Sequence, residues 1–241
     1  DFNIAEFHSL DPGPEHNPEN FTADILRGKA SFSAHNNFDL VEGGLLLFYN
    51  FGDHELSDGW ASNDDNYGLS FYQGLRLFNG SLITAGFDHK NFGGRGNKGF
   101  APNANKWLSI KENAAYLVAQ QNLGDQLVLN AGLRLENNSK FGTELIPQGG
   151  ISYMPAENTT IKTSVSKGFR SPTIMETYLF APNPDLEPER LMSYEASLNQ
   201  YMLNKKLRME FAVFMVNGRN IIMMVPSENP PPPMTRINTG D

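Results

Sequence analysis

IPQGGISYMPAENTTIKTSVSKGFRSPTIMETYLFAPNPDLEPERLMSYEASL, residues 146–198, alternates, breaks at two proline boxes and alternates again. In its middle, Lys162, Ser164 and Ser166 oppose Ile161, Val165 and Phe169. That is the period-two pattern of a strand with one polar and one apolar face. A short turn, PAEN at 155–158, leads into this strand. A long connection follows it, with two proline boxes, FRSP (169–172) and NPDLEPE (183–189), around an apolar run. Pro172 and Pro184 lack the N–H that a ladder needs, so pairing should stop there. Pro188 and Glu189 lead back into alternation, with a new strand from Ser193.

The same grammar extends outward. In 127–136, Leu127, Leu129, Ala131, Leu133 and Leu135 share one face, and Asn130, Arg134 and Glu136 the other. In 207–217, Leu207, Met209, Phe211, Val213 and Met215 alternate with residues beginning Arg208 and Glu210. No segment of helical length shows a 3.6-residue period. Short connections are expected at 36–39, 79–81, 122–126, 155–158 and 204–206, with Asn79-Gly80 suited to a type I′ turn. Long ones are expected near 52–66, 92–112, 138–144, 170–190 and 218–235, the last containing PPPP at 230–233. About ten strands result, plus the start of another at RINTGD.

Turns sorted to one end of a sheet and long loops to the other are the pattern of a transmembrane β-barrel. The sequence therefore predicts an all-β, antiparallel up-and-down transmembrane barrel of about 10–11 strands, part of a larger one. Two alternatives remain open from the pattern: a passive porin or structural barrel, and a soluble β-domain that binds glycans. The longest apolar run, GGLLLFYNF at 43–51, is too short for a membrane helix. A polar-in, apolar-out code fits a mean hydropathy of -0.41.

Composition narrows the partners. The net charge is -8, with an isoelectric point near 5.1, which opposes nucleic-acid binding. The absence of Cys removes disulfides and thiolate metal sites. The nucleophile-elbow, zincin and phosphate-loop motifs do not occur, so an enzyme is not expected. Both ends of the 241 residues look internal to a longer chain.

The boxes in 146–198 resemble those of TonB-dependent outer-membrane receptors. Pro147 to Tyr153, Gly168 to Pro172, Asn183 to Glu189 and Ser193 to Glu195 follow that family's order and spacing. The resemblance implies that residues 1–241 are part of a 22-stranded barrel in the bacterial outer membrane, without its plug. It implies lipid around the wall, a TonB complex contacted through the missing N-terminal region, and active import of a scarce nutrient, an iron siderophore or cobalamin. Haem is disfavoured: receptors of this type for haem carry a His between the two boxes, and residues 173–182 have none. His8, His16, His35, His54 and His89 are scattered and read as surface or lumen residues. The candidate ligand contacts on outer loops are Trp60, Arg95, Tyr178 and Phe180. In SDGWASNDDN (57–66), Asp58, Asp64 and Asp65 are candidate calcium ligands, since hard cations take carboxylate oxygens.

Overall fold

The computed structural model describes residues 1–11, 20–97, 103–179, 181–228 and 233–240. Eleven strands form one sheet in chain order: β1 (Phe2–Asp11), β2 (Phe21–Asn37), β3 (Val41–Leu56), β4 (Ala61–Leu75), β5 (Ser81–Gly96), β6 (Leu108–Leu123), β7 (Leu127–Asn138), β8 (Gly142–Ala156), β9 (Thr159–Arg170), β10 (Glu189–Met202) and β11 (Leu207–Arg219). Every neighbouring pair is antiparallel. A short helix, α1 (Ile174–Tyr178), lies between β9 and β10. β12 (Ile221–Pro226) and β13 (Met234–Thr239) pair as a separate hairpin. The large sheet is open: β1 and β11 each pair on one side only among the described residues.

Alternation sorts side chains onto two unlike faces. Leu127, Tyr153, Ile161, Leu198 and Phe211 stand side by side across β7–β11. Leu133 and Leu135 share that outer face and are about half exposed. A bare apolar band of this kind is a surface that something must cover. The opposite face is polar. Arg134 donates to Asp88 at 2.5 Å and to Glu136 at 2.9 Å, and the Ser70 hydroxyl donates to Asp88 at 2.7 Å. The described residues contain few buried apolar side chains: Ile110, Ala114, Leu179 and Leu186, with Pro172 and Pro188. The sheet is thus held by its ladders and cross-strand pairs more than by a core.

On the polar face, several long side chains lie across a glycine directly opposite. Arg27 crosses Gly52, Phe48 crosses Gly68, and Tyr116 crosses Gly86. A Cβ at any of the three glycines would run into the group that lies over it.

Some connections differ from expectation. Residues 52–56 and 61–66 extend the β3–β4 hairpin, leaving only 57–60 as a turn. The 138–144 loop shrinks to 139–141. Asn and Asp side chains made these segments look like loops. Yet flanking strands satisfy their backbone groups, so a polar sequence can stay extended beyond the apolar band. Within the connection expected at 218–235, β11 runs to Arg219 and β12 and β13 pair, while residues 230–232 of the proline run lie outside the described residues; β10 starts at Glu189 rather than Ser193. The turn at 76–80 has positive φ at Gly80 (+75°) but not at Asn79, so it is not type I′. Its geometry is fixed by Ser81, whose hydroxyl accepts from the Phe78 N–H and donates to the Phe78 carbonyl.

Candidate functional site

Thr173 begins the local logic of the site. Its hydroxyl accepts from the Glu176 N–H at 3.1 Å, and the Glu176 carboxylate accepts from the Thr173 N–H at 2.8 Å. This reciprocal capping box starts α1 inside the long connection. The helix is a single turn, so tertiary anchors must hold it. The first anchor is Arg170 at the end of β9. Its guanidinium donates to Glu176 at 2.8 and 3.3 Å and to Glu189 at 2.7 and 2.8 Å. The second is the β12–β13 hairpin. Asn238 accepts from the Glu187 N–H at 2.8 Å and donates to the Glu187 carbonyl at 2.9 Å, while Asn183 donates to the Arg236 carbonyl at 2.7 Å. Ser171 accepts a bond of 3.2 Å from Asn138, which is itself buried and joins Glu112. Within the strap itself Pro172, Thr177, Leu179 and Leu186 are buried.

The strap brings Ile174, Met175 and Leu179 to the loop-side end of β2–β5, where they border an open cavity of about 480 Å³. Its wall is built by register. Arg27 on β2 reaches over Gly52 and donates to Asp64 on β4 at 2.9 Å. It also lies 3.0 Å from His54 Nε2. As a guanidinium can only donate, His54 Nε2 accepts, and the imidazole proton sits on Nδ1. There it faces Ser62 Oγ at 3.3 Å and Asp64 Oδ2 at 3.6 Å. Trp60 is held by its backbone N–H, which donates to the Asp58 carboxylate at 2.7 Å, and its ring tilts toward His54 with centroids 6.2 Å apart. Phe92 and Leu56 complete the apolar lining. Two buried polar atoms of lining residues have no partner among the described residues, Trp60 Nε1 and Asn66 Oδ1.

Of the candidate ligand contacts, Trp60 and Arg95 both line this cavity. Arg95 leaves β5 on the face opposite Phe92, the face that also carries Asp65, and its Nε donates to Asn63 at 3.1 Å. Tyr178 points elsewhere: its hydroxyl accepts from Lys140 at 3.1 Å, and the Lys140 ammonium lies 4.3 Å from its ring centre. Phe180 lies outside the described residues. The three candidate calcium ligands do not converge. Asp58 caps the turn, Asp64 is taken by Arg27, and Asp65, though it borders the cavity, leaves the strand on the opposite face from Asp64. No group of three metal-binding side chains occurs among the described residues. The sequence reading passed over Arg27 and Phe92, took His54 for a surface or lumen residue and Asn66 for a loop oxygen donor, because strand register assembles them. It also missed α1, which was readable as Thr173-x-x-Glu176.

Burial alone would raise the Glu176 carboxyl. The Arg170 guanidinium and the Thr173 N–H outweigh that and hold it below its ordinary 4.5. The stabilisation it gives the strap is therefore complete above pH 4.5 and is lost as pH falls through the lower, folded value. The chain has no Cys, so Met175→Cys carrying an environment-sensitive fluorophore can report strap opening. Its emission should stay constant from neutral pH down to the usual glutamate range and change only below it. A transition above 4.5, or an unchanged profile in Glu176→Gln, would contradict this origin.

Comparison with known proteins gives a consistent picture. The family model described as TonB dependent receptor-like, beta-barrel matches residues 8–241. The vitamin B12 transporter BtuB of Vibrio vulnificus is 26% identical over 121 residues, covering 50% of this chain and 19% of that protein. The siderophore receptor PirA from Pseudomonas aeruginosa superposes with a TM-score of 0.83 at 16% identity, covering 91% of this chain and 45% of PirA. The hemophore receptor HasR of Serratia marcescens, solved with its hemophore HasA and heme, gives 0.77 at 15% identity, covering 98% and 46%. The chain thus spans less than half the length of each of these relatives.

Proposed function

Because the chain belongs to the TonB dependent receptor-like β-barrel family, we propose that it forms part of the wall and mouth of an outer-membrane importer. The importer takes up an iron siderophore or cobalamin with energy delivered through TonB. The observation that carries this reading is the cavity on the polar face, beneath the strap and at the loop side of the sheet. A passive pore needs no binding cleft at its mouth, whereas a receptor must hold its cargo before moving it. The apolar row from Leu127 to Phe211 faces the lipid, and the Asp88–Arg134–Glu136 cluster faces the lumen. The siderophore and cobalamin assignments take support from PirA and BtuB, whose names state those cargoes.

The test is uptake by cells with and without the full-length gene, using radiolabelled ferric siderophores under iron limitation and labelled cobalamin under cobalamin limitation. Uptake should depend on the gene and on TonB for one of these cargoes. Gene-dependent uptake that persists without TonB would identify a passive pore instead. No gene-dependent uptake of either would overturn the cargo assignment.

A further inference from the structure

The ladder between β8 and β9 is interrupted toward the loop side. In register, the two strands pair from Tyr153 with Ile161 to Gln148 with Ser166. Beyond that point β8 continues to Gly142 and stays paired with β7, while β9 continues to Arg170 and stays paired with β10. An unpaired slit separates residues 142–147 from 167–170. Pro147 accounts for the break. The Met154 N–H donates to the Gln126 carbonyl just before β7 at 2.7 Å, so even-numbered residues of β8 bond toward β7 and odd-numbered ones toward β9. The N–H that Pro147 lacks is therefore the one that would reach Lys167, next in register after Ser166.

Side chains fill the place of the ladder. By alternation Lys167 and Arg190 belong to the apolar face and Glu144 to the polar face, yet all three meet at the slit. The Glu144 carboxylate, 11% exposed, accepts from the Lys167 ammonium at 2.7 Å and from the Arg190 guanidinium. Lys167 also donates to the Leu145 carbonyl at 2.9 Å, where a ladder N–H would have stood. Two further bonds run from the β7–β8 end to the strap, Asn138 to Ser171 at 3.2 Å and Lys140 to Tyr178 at 3.1 Å. The strap starts from β9 and returns to β10, so it belongs to the far side of the slit, whereas the cleft it borders is built by β2–β5.

We infer that the slit is a hinge line and that Glu144 is its latch. When the latch lets go, β9–β11 turn with the strap away from β1–β8, and the cleft opens. A continuous ladder would resist this with a backbone bond at every second residue; here charge-assisted bonds to one carboxylate stand in for it.

Hydrogen exchange of the purified full-length receptor tests this, with Leu145→Cys/Phe169→Cys as a staple. These two residues continue the register across the slit, and residues 1–241 contain no other Cys. Glu144→Gln keeps the shape of the latch and removes its charge. It should speed exchange of strap residues 173–179 by roughly tenfold, the loss expected for a charge-assisted bond, and leave β6 unchanged. With the disulfide formed, Glu144→Gln should no longer affect the strap, and reduction should restore the effect. A strap untouched by Glu144→Gln overturns the inference. So does a strap that speeds equally with the staple closed, because the effect then passes locally from Arg190 to its neighbour Glu189. If Glu144→Gln does not assemble, the staple alone decides. It should slow strap exchange relative to its reduced form, and a staple that fails to form, or forms without slowing the strap, overturns the inference.

Discussion

Arg170→Ala is expected to release the strap at neutral pH. The guanidinium makes four contacts of 2.7–3.3 Å to two carboxylates, and no single neighbour duplicates it. Without it, Glu176 and Glu189 remain close together and largely shielded, with side chains 20% and 15% exposed. Two like charges then share a poorly hydrated site. A fully buried pair broken in this way costs about 3–5 kcal/mol. Arg170 is 42% exposed, so solvent screening brings the expectation down to about 2 kcal/mol. That corresponds to roughly a thirtyfold rise in the open population. The fluorophore at Met175→Cys should then report at pH 7 the emission otherwise seen only in acid. Nutrient uptake should fall with it. Arg170→Lys should recover part of the effect, because an ammonium is a point charge and cannot grip both carboxylates in a planar fork. If Arg170→Ala leaves the emission unchanged, the hairpin through Asn238 and Asn183 is the anchor that matters.

Gly68→Val is expected to prevent assembly of the sheet. A Cβ at position 68 would overlap the His89 carbonyl oxygen and come within 2.8 Å of the Phe48 ring. A ring tip can swing aside, but the carbonyl belongs to β5, where Lys90, the residue after His89, is paired with Gly68. Relief requires moving backbone in the middle of a ladder. Overpacking of this kind costs about 1–3 kcal/mol where side chains alone yield, and backbone displacement places the change at or above the top of that range. The full-length receptor should lose heat-modifiable mobility and its outer-membrane band. Gly124→Ala is the control. Gly124 has φ +60° but nothing within 4 Å of a Cβ, so only the backbone conformation resists, at about 1–2 kcal/mol. Equal folded yield for both variants would show that the Gly68 crossing is not tight.

The architecture was legible because its code is local. Alternation in 127–136 and 207–217 needs no knowledge of partners, and neither do the prolines that end pairing around α1. The cavity was legible only in part. Trp60 and Arg95 stood out as an aromatic and a cation beside turns, and both line the cavity. Asp64 was visible, but its partner Arg27 is 37 positions away and meets it only through the register of β2, β3 and β4. Tyr178 looked equivalent to Trp60 in sequence. The capping box turns its helix so that the phenol meets Lys140 instead. Residues 52–66 misled because polarity was read as a loop, although hydrogen-bonded strands tolerate polar side chains where no apolar surroundings forbid them.

The crossings of Arg27 over Gly52, Phe48 over Gly68 and Tyr116 over Gly86 also bear on calibre. A long side chain standing upright would project into the space the wall encloses. Laid flat over a neighbour that has no side chain, it thickens the wall by little more than its own van der Waals depth. Along β2–β6 these three side chains therefore take up little of the space in front of the polar face. Filling one of these glycine gaps would lift the side chain above it away from the wall and shrink the free space in front of the polar face.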